Sequence, residues 1–165
     1  MTKPNLIFLV HCLAALFMTG IIWFVQVVHY PLLGQVGLAN FVRYEEQHTL
    51  LTTFIVFPPM FLELVTSACL LGIRPRYILA TEAYAIFTIT GFIWLLTFIV
   101  HVPQHDMLSR GFSGELHATL VSTNWGRTIL WTVKSALLVW LLRRAIVPAD
   151  EAAPIRYPAQ VPHGL

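Results

Sequence analysis

The segment that decides the fold is residues 6–28, which read LIFLVHCLAALFMTGIIWFVQVV and contain no aspartate, glutamate, lysine or arginine. A helix needs about 20 mainly apolar residues to cross the hydrocarbon core of a bilayer, so this segment predicts a transmembrane helix. It is too long for the core of a cleavable signal peptide and lacks a small-x-small cleavage site, so we interpret it as a retained helix. Pro31 predicts its end, because the residue before a proline disfavours helical geometry.

Three further segments have the same apolar character, namely residues 50–71, 78–100 and 128–147. The sequence therefore predicts an all-α fold, a four-transmembrane-helix bundle. The bundle is expected over residues 1–148, and a Pro-rich cytoplasmic tail over residues 149–165.

Two finer features are predicted for the second segment and for the outer loops. Pro58 and Pro59 predict a kink in the second segment, because proline removes a backbone donor from a helix. Residues 37–48 and 114–123 mix apolar and polar positions at roughly helical spacing. Each of these loops is expected to form a short interfacial helix or an extension of the span that it precedes.

The composition indicates a lipid environment. Hydrophobic residues make up 57% of the 165 residues and charged residues only 11%, against about 25% charged in an ordinary soluble domain. The lipid bilayer is therefore the first expected partner, and other membrane subunits are a second. The net charge of +2 is too small to indicate nucleic-acid binding.

The distribution of basic residues predicts the orientation. Six lysines and arginines lie on the side of the predicted spans that carries both termini and the second loop. Three lie on the other side, in the first and third loops. Because basic residues favour the cytoplasmic side, both termini are expected in the cytoplasm and the protein in the inner cell membrane.

The histidines are the most informative candidates for function. With four spans, five of the seven lie in the loops at one membrane face or at the helix ends that border them. Facing helix ends in a bundle can combine histidine and carboxylate side chains into a metal or cofactor site. The predicted metal ligands are His29, His48, His101 and His105, and iron, zinc or copper would suit them. The alternative is that these histidines contact water and lipid headgroups at the interface.

The spacing of His101 and His105 would place both imidazoles on one helical face, but Pro103 between them predicts that the helix breaks first. His29, His48 and His101 are expected to converge on one pocket near Arg127, because three helix ends lie at one membrane level.

A second set of ionisable residues lies deeper in the predicted spans. Ionisable groups within a membrane usually face the bundle interior in pairs, so Glu63 is expected to face inward, to have a partner and to serve in function. His11 and Glu82 are instead expected to reach the interface by snorkelling. The tryptophans and Tyr30 lie mostly near span ends, where aromatic belts occur.

Several short motifs carry a resemblance to known proteins. They are Asn124-Trp125-Gly126-Arg127-Thr128, Gln26-x-x-His29-Tyr30-Pro31, Tyr44-x-x-x-His48, Pro59-Met60-x-x-Glu63 and His105. With these motifs the chain resembles small uncharacterised bacterial four-helix membrane proteins. Its four-span layout and the Asn124 and Arg127 motif at the last helix resemble, more distantly, the anthrone-oxygenase-like membrane family. The second resemblance implies an oxygenase that acts on a flat aromatic or quinone-like molecule. This chain departs from that family in having many more histidines.

Two hypotheses for function follow. In the first, the protein is a metal-dependent membrane oxidoreductase acting on a lipophilic aromatic or quinone-like substrate, with Glu63, Asn124 and Arg127 in catalytic roles. In the second, it is a non-enzymatic accessory subunit or a carrier of haem b, with His11 or His101 as an axial ligand. A transporter is disfavoured, because the sequence contains no detectable inverted repeat.

Overall fold

The computed structural model describes residues 1–146, and these residues form four long helices and no strand. We number the helices α1 to α4, and their bounds are Lys3–Leu33, Leu38–Gly72, Ala80–Leu108 and Gly114–Ile146. The predicted all-helical class is confirmed. The predicted boundary at residue 148 and the tail over residues 149–165 lie outside the described residues.

The four helices form a closed ring around a common core. Helix α1 packs against α2 and α4, and α3 also packs against α2 and α4. Each helix therefore contacts its neighbours in sequence, and α4 closes the ring onto α1. Short loops between consecutive helices give the antiparallel arrangement of an up-and-down bundle.

Within the described part of the chain, three helices are long and apolar enough to span a membrane, and they are α1, α2 and α3. The prediction had four such spans. Helix α4 is long enough, but Arg127, Lys134, Arg143 and Arg144 lower its apolar character. By length and composition alone, the fourth span is therefore not supported.

The helices are longer than the sequence predicted. Helix α1 continues past Pro31 and α3 past Pro103, and α2 runs through Pro58-Pro59 without a break. The outer-loop segments are not separate interfacial helices, because α2 begins at Leu38 and α4 at Gly114. Both segments are extensions of the helices that they precede, which was the alternative prediction.

A π-helical turn explains how α1 and α3 pass their prolines. The turn in α1 covers Val25–His29 and the turn in α3 covers Leu96–His101, so each ends at a histidine two residues before a proline. Single π-helical turns inside α-helices often occur at functional sites. In both helices the last residue of the π turn is therefore the histidine of a His-x-Pro sequence. The apolar sequence pattern did not reveal this local similarity.

Polar side chains lie inside the bundle and apolar side chains cover its outside. Glu45, Glu63, Asn124, Arg127 and Lys134 are all at most 8% exposed. Many large apolar side chains on the outer surface are at least half exposed, including Phe54, Ile55, Phe98, Ile99 and Val133. A water-soluble domain shows the reverse arrangement, so this distribution supports a lipid environment.

Candidate functional site

A cavity of about 340 Å³ is lined by residues of all four helices. It lies toward the end of the bundle where the loops join α1 to α2 and α3 to α4. Its polar wall contains Tyr30, His48, His101, His105 and Arg127, and we call these residues together with Glu45 the histidine pocket. The apolar part of its lining includes Met18, Ile22, Val25, Val56 and Trp131. A mainly apolar cavity with a few converging polar groups is the usual form of a small-molecule site.

A chain of hydrogen bonds joins four side chains of the histidine pocket. His105 Nδ1 donates to Glu45 Oε1 over 2.5 Å, and Tyr30 Oη lies 2.9 Å from His105 Nε2. Arg127 Nη2 donates to Tyr30 Oη over 3.3 Å. Because the guanidinium can only donate, Tyr30 is free to donate its own proton to His105. The bonds therefore have a consistent direction from Arg127 through Tyr30 and His105 to Glu45.

Arg127 is held in place by two amide side chains. Its Nε and Nη2 atoms donate to Asn124 Oδ1 over 2.9 and 2.6 Å. Asn124 Nδ2 donates to Gln26 Oε1 over 2.8 Å, and Gln26 Nε2 donates to the Val121 carbonyl over 3.1 Å. Each amide can face only one way in this series, so the network fixes the guanidinium against the cavity wall.

His29 and His48 contact each other directly between α1 and α2. The distance from His29 Nε2 to His48 Nδ1 is 2.9 Å, and Thr52 Oγ1 lies 3.1 Å from the same His48 atom. The rings of His48 and His105 are 5.2 Å apart between their centroids. Of the three histidines expected to converge near Arg127, His48 and His101 line the cavity with Arg127, whereas His29 does not line it and contacts His48 instead.

His101 lies on the cavity wall with one free nitrogen. Its Nδ1 atom donates to the Leu96 carbonyl over 2.8 Å, within the π turn that this histidine ends. Its Nε2 atom is buried and has no hydrogen-bond partner among the described residues. Helix α3 does not break at Pro103, so His101 and His105 line the same cavity, which corrects the predicted break.

The predicted metal site is not supported by this arrangement. Within residues 1–146, no group of three or more histidine, cysteine or carboxylate side chains is placed to hold a metal ion. His29, His48 and His105 direct ring nitrogens at each other, at Tyr30 and at Glu45, and His101 directs one at a backbone carbonyl. These contacts occupy both ring nitrogens of His105 and one ring nitrogen each of His29, His48 and His101.

A buried ion pair lies one layer deeper in the bundle. Glu63 is 1% exposed and accepts a hydrogen bond from Lys134, which is fully buried. Trp131 Nε1 donates to both oxygens of Glu63 over 3.2 and 3.3 Å, and its ring lines the cavity above. The prediction that Glu63 faces inward and has a partner is confirmed, whereas its catalytic role stays a prediction.

The snorkelling prediction is wrong for His11. This residue is fully buried, and its Nδ1 atom lies 2.9 Å from Thr66 Oγ1 between α1 and α2. His11 does not line the cavity described above or a second cavity between α1 and α2. These cavities therefore give no support to its proposed role as a haem ligand. Glu82 does lie at a helix end, where it caps the start of α3 and pairs with Arg144.

Three residues of the site were not singled out from the sequence. Tyr30 and Trp131 were interpreted as belt aromatics, but they are only 2% and 0% exposed. Glu45 was given no role. The signal that could have found Tyr30 and Glu45 is their position within the motifs quoted above, Tyr30 next to His29 and Glu45 between Tyr44 and His48.

Comparison with protein-family models, with curated proteins and with solved structures found no match to this chain. The resemblance to the anthrone-oxygenase-like membrane family therefore has no support beyond its motif residues. The fold and the site define a class only, a helical membrane protein with a buried polar pocket.

Proposed function

We propose that this protein is a four-span membrane protein with both termini in the cytoplasm, whose histidine pocket binds a lipophilic aromatic or quinone-like molecule and transfers protons to or from it. The observation that carries the proposal is the directed chain of hydrogen bonds through Arg127, Tyr30, His105 and Glu45 on the wall of a mainly apolar cavity.

The burial pattern of α4 supports a fourth span. Asn124, Arg127 and Lys134 are turned into the bundle and buried, whereas Ile129 and Val133 are more than half exposed on the outside. Charged residues in membrane helices usually face the interior in this way. The polar residues on the inner face of α4 therefore lower its average hydropathy, whereas its outer face is apolar and suits contact with lipid.

Tyr30 is the group best placed for proton transfer, because its hydroxyl faces both the cavity and His105. When the ligand gives up a proton to the Tyr30 oxygen, the original tyrosine proton passes to His105 Nε2. Glu45 then stabilises the imidazolium through the bond to Nδ1. Arg127 stabilises negative charge on the tyrosine oxygen or on a neighbouring ligand oxygen, which is the electrostatic role of an oxyanion site.

The experiment uses the full chain in lipid nanodiscs and 2-tetralone, a lipophilic aromatic ketone with exchangeable protons beside its carbonyl. Mass spectrometry follows deuterium uptake from heavy water. We expect the protein to accelerate the exchange, and Tyr30→Phe to lower the accelerated rate about 10²–10⁴-fold, the usual contribution of a general acid–base group. Tyr84→Phe is the matched control, because Tyr84 is 60% exposed on the outer surface.

The same preparation separates the other hypotheses. Stoichiometric iron, copper or zinc would favour the metal-dependent oxidoreductase, and a Soret absorption band would favour the haem carrier. A stably co-purifying membrane protein would favour the accessory subunit. Absence of any accelerated exchange, together with no binding of 2-tetralone, would overturn the proposed function.

A further inference from the structure

We infer that the ligand of the histidine pocket is a lipophilic acid, held as its anion by Arg127 and His101, with its apolar part directed toward the bilayer between α1 and α2. The inference rests on the proposed function, since both concern the same cavity, and it adds the chemical class of the head group.

Arg127 is a buried cation that pairs with no anion among residues 1–146. Its side chain is bonded to Asn124 and Tyr30, which are both neutral, and no carboxylate of residues 1–146 lies within ion-pair distance. Lys134 on the same helix does have a carboxylate partner, Glu63. An unpaired charge removed from water is strongly unfavourable. Because Arg127 lines the cavity, a ligand anion can supply the missing charge.

His101 adds a second, complementary contact on the same wall. Its Nδ1–H is used by the Leu96 carbonyl, so the unpartnered Nε2 atom of a neutral ring is an acceptor. An acid that enters with its proton can donate that proton to Nε2, which leaves a carboxylate beside an imidazolium. The second carboxylate oxygen is then available to the Arg127 guanidinium, so the two oxygens of one head group satisfy both side chains.

A second cavity indicates where the apolar part of the ligand lies. It has a volume of about 290 Å³ and shares a wall with the first, formed by Ile21, Val25, His48, Thr52 and Val56. Its other lining residues include Phe24, Leu51 and Ile55, which are all more than half exposed on the outside of α1 and α2. Since the outer surface faces lipid, the second cavity is a lateral groove beside the pocket, and an apolar group of the ligand can occupy it.

The test compares 2-naphthoic acid, which is an anion at neutral pH, with its uncharged methyl ester. Binding to the full chain in nanodiscs of zwitterionic lipid is measured by quenching of tryptophan fluorescence, with empty nanodiscs as the blank. We expect the acid to bind about 10- to 100-fold more tightly than the ester, as expected for a hydrogen bond to a charged group. Arg127→Gln should remove this preference and leave the ester affinity within a few-fold.

Two further variants keep the test decisive if Arg127→Gln does not fold. Arg127→Lys retains the positive charge and should retain a preference for the acid, and His101→Phe should reduce it. Arg43→Gln is the control and should change nothing, because Arg43 is exposed and lines neither cavity. Equal or tighter binding of the ester to the unmodified protein overturns the inference and leaves the proposed function standing. Binding of neither probe, together with no exchange of 2-tetralone, overturns both.

Discussion

Glu45 and His105 are joined by a hydrogen bond of 2.5 Å between helices α2 and α3, although sixty positions separate them in the sequence. Glu45 is fully buried, and its second oxygen has no partner among the described residues. A buried carboxylate that accepts from Nδ1 holds the ring with Nε2 directed at Tyr30. The pair therefore fixes which nitrogen of His105 can exchange protons with the pocket.

Glu45→Gln is expected to lower the exchange of 2-tetralone, because a neutral amide stabilises the imidazolium of His105 far less than a carboxylate does. A loss of about 10²–10⁴-fold is expected for a proton transfer that needs this group. Glu46→Gln is the matched control, since Glu46 is the next residue and is exposed. Equal rates in the two variants would show that His105 acts without Glu45.

The buried pair of Glu63 and Lys134 predicts an asymmetric response to mutation. Glu63→Gln leaves Lys134 as an uncompensated buried charge, so we expect a loss of about 3–5 kcal/mol in the free energy of unfolding. Replacing both residues, in the variant Glu63→Leu with Lys134→Met, should restore most of that stability, because a buried ion pair can be replaced by apolar residues at little cost. Denaturation of the purified variants in detergent measures both, and a double variant less stable than Glu63→Gln would contradict the expectation.

Substitution of Gly34 is expected to disturb the histidine pocket through His117. A Cβ added at Gly34 would lie 2.8 Å from Cε1 of His117, and His117 Nε2 donates to the Tyr30 carbonyl over 2.7 Å. Gly34→Ala should therefore displace the His117 ring and destabilise the protein by about 1–3 kcal/mol, as overpacking does. The measurement is the shift in thermal unfolding followed by circular dichroism.

Gly20→Ala is the matched control for this prediction. Gly20 lies within α1, and nothing stands within 4 Å of a Cβ added there. Alanine is the better helix former by about 0.5–1 kcal/mol, so this variant should be neutral or stabilised. An equal loss of stability in Gly20→Ala and Gly34→Ala would show that contact with His117 does not cause the loss at Gly34.

The proposed fourth span predicts opposite accessibility at the two ends of α4. Single cysteines at Ser113 and Ala145, in a chain whose Cys12 and Cys69 are replaced by serine, would be treated with a membrane-impermeant maleimide on intact cells. We expect Ser113→Cys to react and Ala145→Cys to react only after permeabilisation. Reaction of both on intact cells would contradict a fourth span, and the reversed pattern would move the histidine pocket to the cytoplasmic side.

The sequence determined the helical class, the approximate course of the helices and the gathering of histidines at one end of the bundle. These features depend on apolar runs and on the order of residues along the chain, which hydropathy can reveal without tertiary information. Hydropathy was less reliable for α4, because the buried Arg127 and Lys134 lower its average. The prolines predicted helix ends at Pro31 and Pro103 that the structure does not have, because π-helical turns precede both prolines and the helices continue.

Only the tertiary structure decided which side chains meet. In a membrane bundle, apolar residues face lipid as well as neighbouring helices, so no clear apolar stripe indicates the inward face of α1 or α2. The rotation of each helix is instead fixed by long-range polar pairs, such as Glu63 with Lys134 and Glu45 with His105. Such pairs lie on different helices and far apart in sequence, so no local pattern can predict them. For that reason the sequence indicated that a polar pocket exists, whereas the tertiary structure determined which nitrogen and oxygen atoms line it.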